Sequence, residues 1–157
     1  TDGLVIVNVI ERKEAVVFFN NDLYEVLDGN GVILSIKQNY EGLSSLPLLV
    51  GKDASKNINA LLALVNEIGS YQSEVLYYEW VGERRWDIHM KSELVFKLPE
   101  NNLNKGLEVM RMFLHETNKL SKPVVSVDLR NIDKPIIRFR KAPPVEYIQK
   151  NTRRLAG

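Results

Sequence analysis

The chain has 157 residues, of which 45% are hydrophobic and 26% are charged; this composition supports a globular core and excludes wholesale disorder. Its 21 basic and 20 acidic side chains give a net charge of +1, which supplies no overall attraction to nucleic acid or to membrane surfaces. Cysteine is absent, so disulfides, thiolate catalysis and cysteine-ligated zinc sites are excluded.

The chain starts at Thr1 and enters a strand-like pattern at once. No apolar run approaches the ~20 residues that a membrane helix needs, and no signal peptide is visible. We therefore expect that the natural N-terminal part is missing and that it is the place for a signal or an anchor.

The first 36 residues have the composition of a run of short strands. The segments rich in β-branched and apolar residues are 4–10, 15–19, 23–27 and 32–36. Asp28–Gly31 has the composition of a hairpin turn between the last two. A polar stretch at 37–39 follows, so we expect residues 1–36 to pack as a strand group separable from the rest.

A first helix is predicted after an apolar connection at Leu46–Gly51, in which Pro47 keeps Leu46 extended. Asp53 or Ser55 caps the start of this helix, and Gly69 ends it. The apolar residues at helical spacing are Ile58, Leu61, Leu62, Val65 and Ile68.

The second half alternates strands with one more helix. Strands are predicted at 74–81, 86–91, 93–98, 124–129 and 136–140. The short joint between the second and third of these indicates antiparallel pairing. The helix begins after Asn101 or Asn102, and its buried face consists of Leu103, Leu107, Met110, Phe113 and Leu114. This order predicts an α+β fold: a mostly antiparallel sheet carrying two helices.

The sequence contains few patterns that are typical of catalytic or metal-binding sites. His115-Glu116 begins like a zinc-peptidase HExxH helix, but Lys119 stands where the second histidine is needed. His89 has Asp87 on the same strand face, which is a generic arrangement. No nucleophile elbow, phosphate loop or complete calcium loop occurs. A non-enzymatic binding module is therefore favoured; a hydrolase or lyase with a site around His89 is the rival hypothesis.

Three segments of the sequence follow one another in a specific order along the chain. They are Leu46–Gly51 before the first helix, Glu83–Ile88 with its Arg84-Arg85-Trp86, and Val127–Phe139, which begins Val-Asp-Leu-Arg. In this order they resemble the extracytoplasmic part of the bacterial cell division family FtsQ/DivIB, whose pattern runs LPxLxG, helix, RRW, helix, VDLR. Val9–Val17 and Leu27–Gly31 are also similar to family segments, so the resemblance covers about residues 4 to 140.

The chain departs from the family pattern at several positions. Glu14 stands where the family usually has proline, and Phe18 or Phe19 where it has tryptophan. Asn131 stands where some members have an aromatic residue.

The resemblance implies a domain plan and a function. Residues 1–36 would be the C-terminal part of a POTRA domain, 37–142 the FtsQ-like β domain, and 143–157 a poorly ordered basic tail. The protein would be a divisome scaffold, anchored once in the inner membrane with this region in the periplasm. Its partners would be FtsB- and FtsL-like division proteins and other divisome components, with no nucleic acid and no cofactor.

The candidate partner-binding residues are Arg84, Arg85, Arg130, Asn131, Ile137 and Phe139. Pro135 enters the last strand, which predicts that this strand lies at a sheet edge and can accept a partner strand. Ile137 and Phe139 share one face, opposite Ile136, and one of the two faces is expected to pack inward.

Other roles stay open for the basic residues. Arg130 either forms a surface ion pair with Asp128, worth under ~1 kcal/mol, or meets an acidic partner. For Arg84 and Arg85 there are three alternatives: they are solvated at the start of a strand, one of them stacks on Trp86 or Trp80, or they contact the partner. The basic tail is a solvated end, or makes the chain a lipid or nucleic-acid binder.

Overall fold

The structure, a computed structural model, describes residues 11–116 and 123–141, together with Gly3 and Ile6. The predicted strand at 4–10 and the tail at 143–157 therefore lie outside the described residues. The described strands are β1 Glu14–Asn20, β2 Leu23–Asp28, β3 Ile33–Lys37, β4 Leu48–Val50, β5 Val75–Val81, β6 Arg85–Met90, β7 Val95–Lys97, β8 Val124–Asp128 and β9 Ile136–Phe139. The two helices are α1 Ile58–Ile68 and α2 Leu103–Glu116.

These strands form one mixed sheet in the order β3-β2-β1-β4-β5-β6-β7-β8-β9. Three neighbouring pairs are parallel (β1 with β4, β4 with β5, β7 with β8) and the other pairs are antiparallel. The predicted α+β fold, with a mostly antiparallel sheet and two helices, is confirmed, as is the antiparallel pairing of β6 with β7.

Residues that pair across neighbouring strands form rows that run across the sheet. Two such rows distinguish its two faces. One row runs through the core and consists of Leu49, Tyr78, Ile88, Phe96, Val127 and Ile137. Its first five members pack with α1 and α2 in the main core. The next row consists of Val50, Glu79, Asp87, Lys97, Asp128 and Ile136. Because side chains alternate along strands, this charged row lies on the opposite face.

The apolar connection predicted at Leu46–Gly51 contains a strand, β4. Leu48 and Leu49 pair in parallel with β1, and Leu49 and Val50 pair in parallel with β5 on the other side. Such a doubly flanked segment is apolar without alternation, so periodicity does not reveal it. It ends at Gly51 (φ 114°), where a Cβ atom would lie 2.4 Å from the Trp80 carbonyl oxygen.

The described strands on the two sides of residue 36 belong to one sheet. β1 pairs directly with β4, and Val16 and Leu27 belong to the same core as α1. On the other face, the segment after β3 packs Leu43 against Val17 and Val26. The sheet is continuous across the predicted boundary, and the assignment of residues 1–36 to a POTRA domain stays a prediction.

The start of α1 also differs from the expectation. A 3-10 turn, Ala54–Asn57, precedes α1, and Asp53 makes no capping hydrogen bond with its side chain. α1 itself begins after Asn57, again without a side-chain cap. The predicted end is confirmed, because the Gly69 N–H donates to the Val65 carbonyl at a φ of 58°. Neither described helix is long and apolar enough to cross a membrane.

Candidate functional site

The last described strand, β9, lies at one edge of the sheet. It pairs with β8 on one side, and no strand among the described residues pairs with its other side. The predicted edge position is thereby confirmed. All four side chains of β9 are exposed, including Ile136 at 57%, Ile137 at 40% and Phe139 at 44%. The expectation that one face packs inward is therefore wrong, because the buried part of the core row ends at Val127 of β8.

The backbone of β9 presents a defined set of free groups. The Arg140 N–H donates inward to the Pro123 carbonyl at 2.9 Å. The register irregularity of this pair falls between Val124 and Ser126 of β8. Because hydrogen-bonding directions alternate along the β9 strand opposite it, we expect Arg138 and Ile136 to bond inward as well. The N–H and C=O groups of Ile137 and Phe139 therefore point away from β8, where another strand can pair with them.

Arg130 lies just beyond the end of β8, beside this edge. Its Nε donates to both carboxylate oxygens of Asp128 at 2.9 and 3.1 Å, and its Nη2 donates to Oδ2 at 2.7 Å. The Arg130 side chain is 54% exposed and that of Asp128 only 12%. These hydrogen bonds hold the pKa of Asp128 below its usual value. The surface ion pair thus exists, and it leaves more than half of the Arg130 side chain exposed.

The two neighbouring arginines of the RRW segment have different environments. Arg84 has a side chain that is 61% exposed, with its Nε 3.0 Å from Glu100 Oε1. Arg85 has a side chain that is only 11% exposed, with its Nε 3.1 Å from the buried carboxylate of Asp87. Burial raises the pKa of Asp87, and Arg85 opposes that rise. Only Arg84 of the pair is available at the surface.

Trp86 is buried at 3% exposure and packs against Trp80 with ring centroids 4.7 Å apart. The indole of Trp86 therefore belongs to the core, in agreement with the role of this strand in the sheet.

Two clefts connect the exposed candidates. A cleft of about 470 Å³ is lined by Glu100, Lys105, Arg130 and Asn131 among others, so it joins the partner of Arg84 to Arg130. A second cleft, of about 290 Å³, is lined by Asp128, Arg130, Asn131, Lys134 and Ile136. Arg130 lies between the two clefts and next to β9.

The structure thus brings together most of the predicted site. Arg130 and Asn131 share both clefts, Ile137 and Phe139 lie on the adjoining strand, and Arg84 reaches the first cleft through Glu100. Asn131 also shapes the turn, because its side-chain oxygen accepts the Asp133 N–H at 3.1 Å. The sequence did not indicate Ile136 as a candidate. Its side chain is available because both faces of β9 are exposed among the described residues.

The two histidines have ordinary surroundings. His89 Nε2 lies 2.7 Å from Glu79 Oε2, and the His89 ring stacks on Tyr77 at 4.2 Å. His115 Nδ1 lies 3.3 Å from Glu116 Oε1 on exposed helix surface. Within the described part of the chain, no group of three or more His, Cys, Asp or Glu residues could hold a metal ion.

Comparisons with known proteins give a consistent set of matches. Residues 15–130 match the family model described as "Cell division protein FtsQ/DivIB, C-terminal". This range contains Arg84, Arg85 and Arg130 and ends before β9.

Two named relatives are similar to this chain over most of its length. A protein named "Cell division protein FtsQ" from Rhizobium radiobacter is 30% identical over 134 residues, which are 85% of this chain and 63% of that protein. One from Zymomonas mobilis subsp. mobilis is 28% identical over 147 residues, which are 93% of this chain and 46% of that protein. The chain thus spans less than two thirds of the length of these relatives. A solved structure of the major extracytoplasmic domain of DivIB from Geobacillus stearothermophilus aligns with a TM-score of 0.49, at 14% identity and over 73% of this chain.

Proposed function

This chain belongs to the FtsQ/DivIB family of cell division proteins, and on that premise we propose that it is a non-enzymatic divisome scaffold that binds FtsB- and FtsL-like proteins through β9. The observation that supports this most strongly is the free outer side of β9 among the described residues. Such an edge is a ready template for a strand from another chain.

Strand addition to β9 would combine backbone and side-chain recognition. The outward N–H and C=O groups of Ile137 and Phe139 would form the ladder that gives affinity, and flanking side chains would give specificity. Apolar side chains lie on both faces of the edge, with Ile137 and Phe139 on one and Ile136 on the other. A partner strand with apolar residues on both faces would therefore bury them.

The charges beside β9 favour an acidic partner. Arg130 and Arg84 present exposed guanidinium groups, and Lys134 lines the cleft next to Ile136. Asn131 would hold the turn that carries Arg130. Arg85 faces Asp87 rather than the surface, so its part in the proposal is to support β6, the strand that also carries Trp86.

Family membership also supports a location. The chain would face the periplasm, with a single inner-membrane anchor on a part of the protein that precedes these residues. The relatives that it matches are considerably longer than the aligned region, which leaves room for such an anchor.

Titration calorimetry tests the proposal. The chain is titrated with the extracytoplasmic region of the FtsB-type protein from the same organism, alone and together with the FtsL-type region. We expect saturable binding with a Kd of about micromolar or tighter, weakened at least about tenfold by Phe139→Ala because a central aromatic anchor carries much interface energy. A folded chain that binds neither region at high concentration would refute the scaffold.

The same titration separates the tail hypothesis. Removing residues 141–157 should change the affinity for the FtsB-type region by less than about twofold, since the edge and Arg130 remain. Binding to anionic vesicles or to nucleic acid that is lost on this truncation would instead support the basic-tailed binder.

Replacing both histidines tests the rival enzyme. We expect His89→Ala together with His115→Ala in the full-length protein to support normal cell length, because the histidines contact only ordinary neighbours. Loss of the His89–Glu79 hydrogen bond should cost only about 1 kcal/mol of stability, which circular dichroism on the isolated chain would register. Filamentous cells that contain a stably folded double variant would favour chemistry at His89.

A further inference from the structure

Asp128 engages one whole edge of the Arg130 guanidinium. Oδ1 of Asp128 accepts the Arg130 backbone N–H at 3.1 Å, and the two carboxylate oxygens accept from Nε and Nη2 at 2.7 to 3.1 Å. An arginine side chain has five N–H donors in a planar fork. Nη1 and the second proton of Nη2 therefore form an edge with no partner among the described residues.

Asp128 is itself held in place. Its backbone lies in β8, opposite Lys97 of β7 on one side and Ile136 of β9 on the other. The next residue, Leu129, is fully buried, and its N–H donates to the Lys97 carbonyl at 2.8 Å. Lys97 also favours the ionised form of the Asp128 carboxylate. The carboxylate is thus a fixed and charged base for the guanidinium.

We propose that Asp128 is a positioning residue, which holds Arg130 so that its free Nη1–Nη2 edge receives a carboxylate from an acidic side chain of the partner. This inference rests on the proposed function and specifies how Arg130 would act in it. Two N–H groups on one planar edge match the two oxygens of a carboxylate, which is the bidentate geometry that makes arginine selective for this group.

Two effects of Asp128 on binding oppose each other. Its negative charge repels the incoming carboxylate, but the guanidinium lies between the two acids and solvent screens the repulsion at an exposed site. Against this, a pre-arranged fork loses less conformational freedom on binding than a free arginine does. We expect positioning to prevail, so that removal of the Asp128 charge weakens binding.

Asp128→Asn is the informative variant. It retains an Oδ1 acceptor for the Arg130 backbone N–H and therefore the turn, but it loses the charged, two-oxygen contact to the guanidinium. We expect the affinity for the FtsB-type extracytoplasmic region to fall about fivefold, in the range of a charge-assisted pairing. In an Arg130→Gln background the same change should have less than about a twofold effect, because Asp128 acts through Arg130.

Two results would overturn this inference. One is an Asp128→Asn variant that binds as tightly as the unmodified chain, or more tightly. The other is an undiminished loss from Asp128→Asn in the Arg130→Gln background, which would indicate a purely structural role.

A measurement on the free chain separates this inference from the proposed function. In NMR spectra of the Arg130 guanidinium, we expect separate Nη1 and Nη2 signals because rotation about the Nε–Cζ bond is hindered, and in Asp128→Asn we expect these signals to merge by fast averaging. This pattern supports positioning whether or not the FtsB-type region binds. Fast averaging already in the unmodified chain overturns it.

Discussion

Ile137→Pro should weaken binding of the partner strand at least about tenfold while leaving β9 paired with β8. The Ile137 N–H points away from β8, and proline removes that N–H without removing any bond to β8. A lost backbone hydrogen bond with its acceptor left unpaired costs about 1–3 kcal/mol, and the ring also obstructs the approaching strand. Titration calorimetry with the FtsB-type region measures the loss.

Two matched variants make the Ile137→Pro result specific. Ile137→Ala removes the same side chain but keeps the N–H, so it should bind better than the proline variant. Arg138→Pro removes an inward N–H and should instead detach β9 from β8. If Ile137→Pro binds as well as Ile137→Ala, main-chain pairing at this edge does not contribute to the interface.

Arg130→Glu should also weaken binding at least about tenfold. The substitution removes the cation that faces the partner, and it places a second carboxylate beside Asp128. A partner acid would then meet two like charges, and desolvated charge pairs cost about 2–5 kcal/mol when one member is lost. Calorimetry at two salt concentrations measures both the loss and its electrostatic part.

Lys37→Glu is the control for Arg130→Glu, since Lys37 is an exposed cation at the end of β3, on the opposite edge of the sheet. It carries the same change in net charge but should leave the affinity within about twofold. Equal losses from the two reversals would show that overall charge, rather than Arg130, governs binding.

Local sequence patterns predicted most elements but only part of the sheet. The hairpin around Asp28–Gly31 and the end of α1 at Gly69 follow from turn chemistry and capping, which act within a few residues. The β4 strand and its parallel pairing depend on contacts between residues that are distant in the chain, so the hydrophobic periodicity does not predict them. For the same reason, the continuous pairing across residue 36 was not predicted, because the pairing of β1 with β4 is non-local.

Family membership was predicted from ordered segments rather than from any single motif, and it is confirmed over residues 15–130. The edge position of the last strand followed from Pro135 and from chain order. The different environments of Arg84 and Arg85 could not be predicted from the sequence. The two arginines differ in exposure because the buried carboxylate of Asp87 lies beside Arg85, and the sequence does not show that Asp87 is buried. Likewise, the fork between Asp128 and Arg130 depends on side-chain geometry beyond strand alternation.

Amide hydrogen exchange along β9, with and without the FtsB-type region, tests the strand-addition account most directly. In the free chain, Ile137 and Phe139 should exchange rapidly, while Ile136, Arg138 and Arg140 are slowed by their bonds to the neighbouring backbone. Saturation with the partner should slow Ile137 and Phe139 and change the inward amides much less. Unchanged exchange at Ile137 and Phe139 in the saturated complex, with new protection elsewhere on the chain, would contradict binding at this edge.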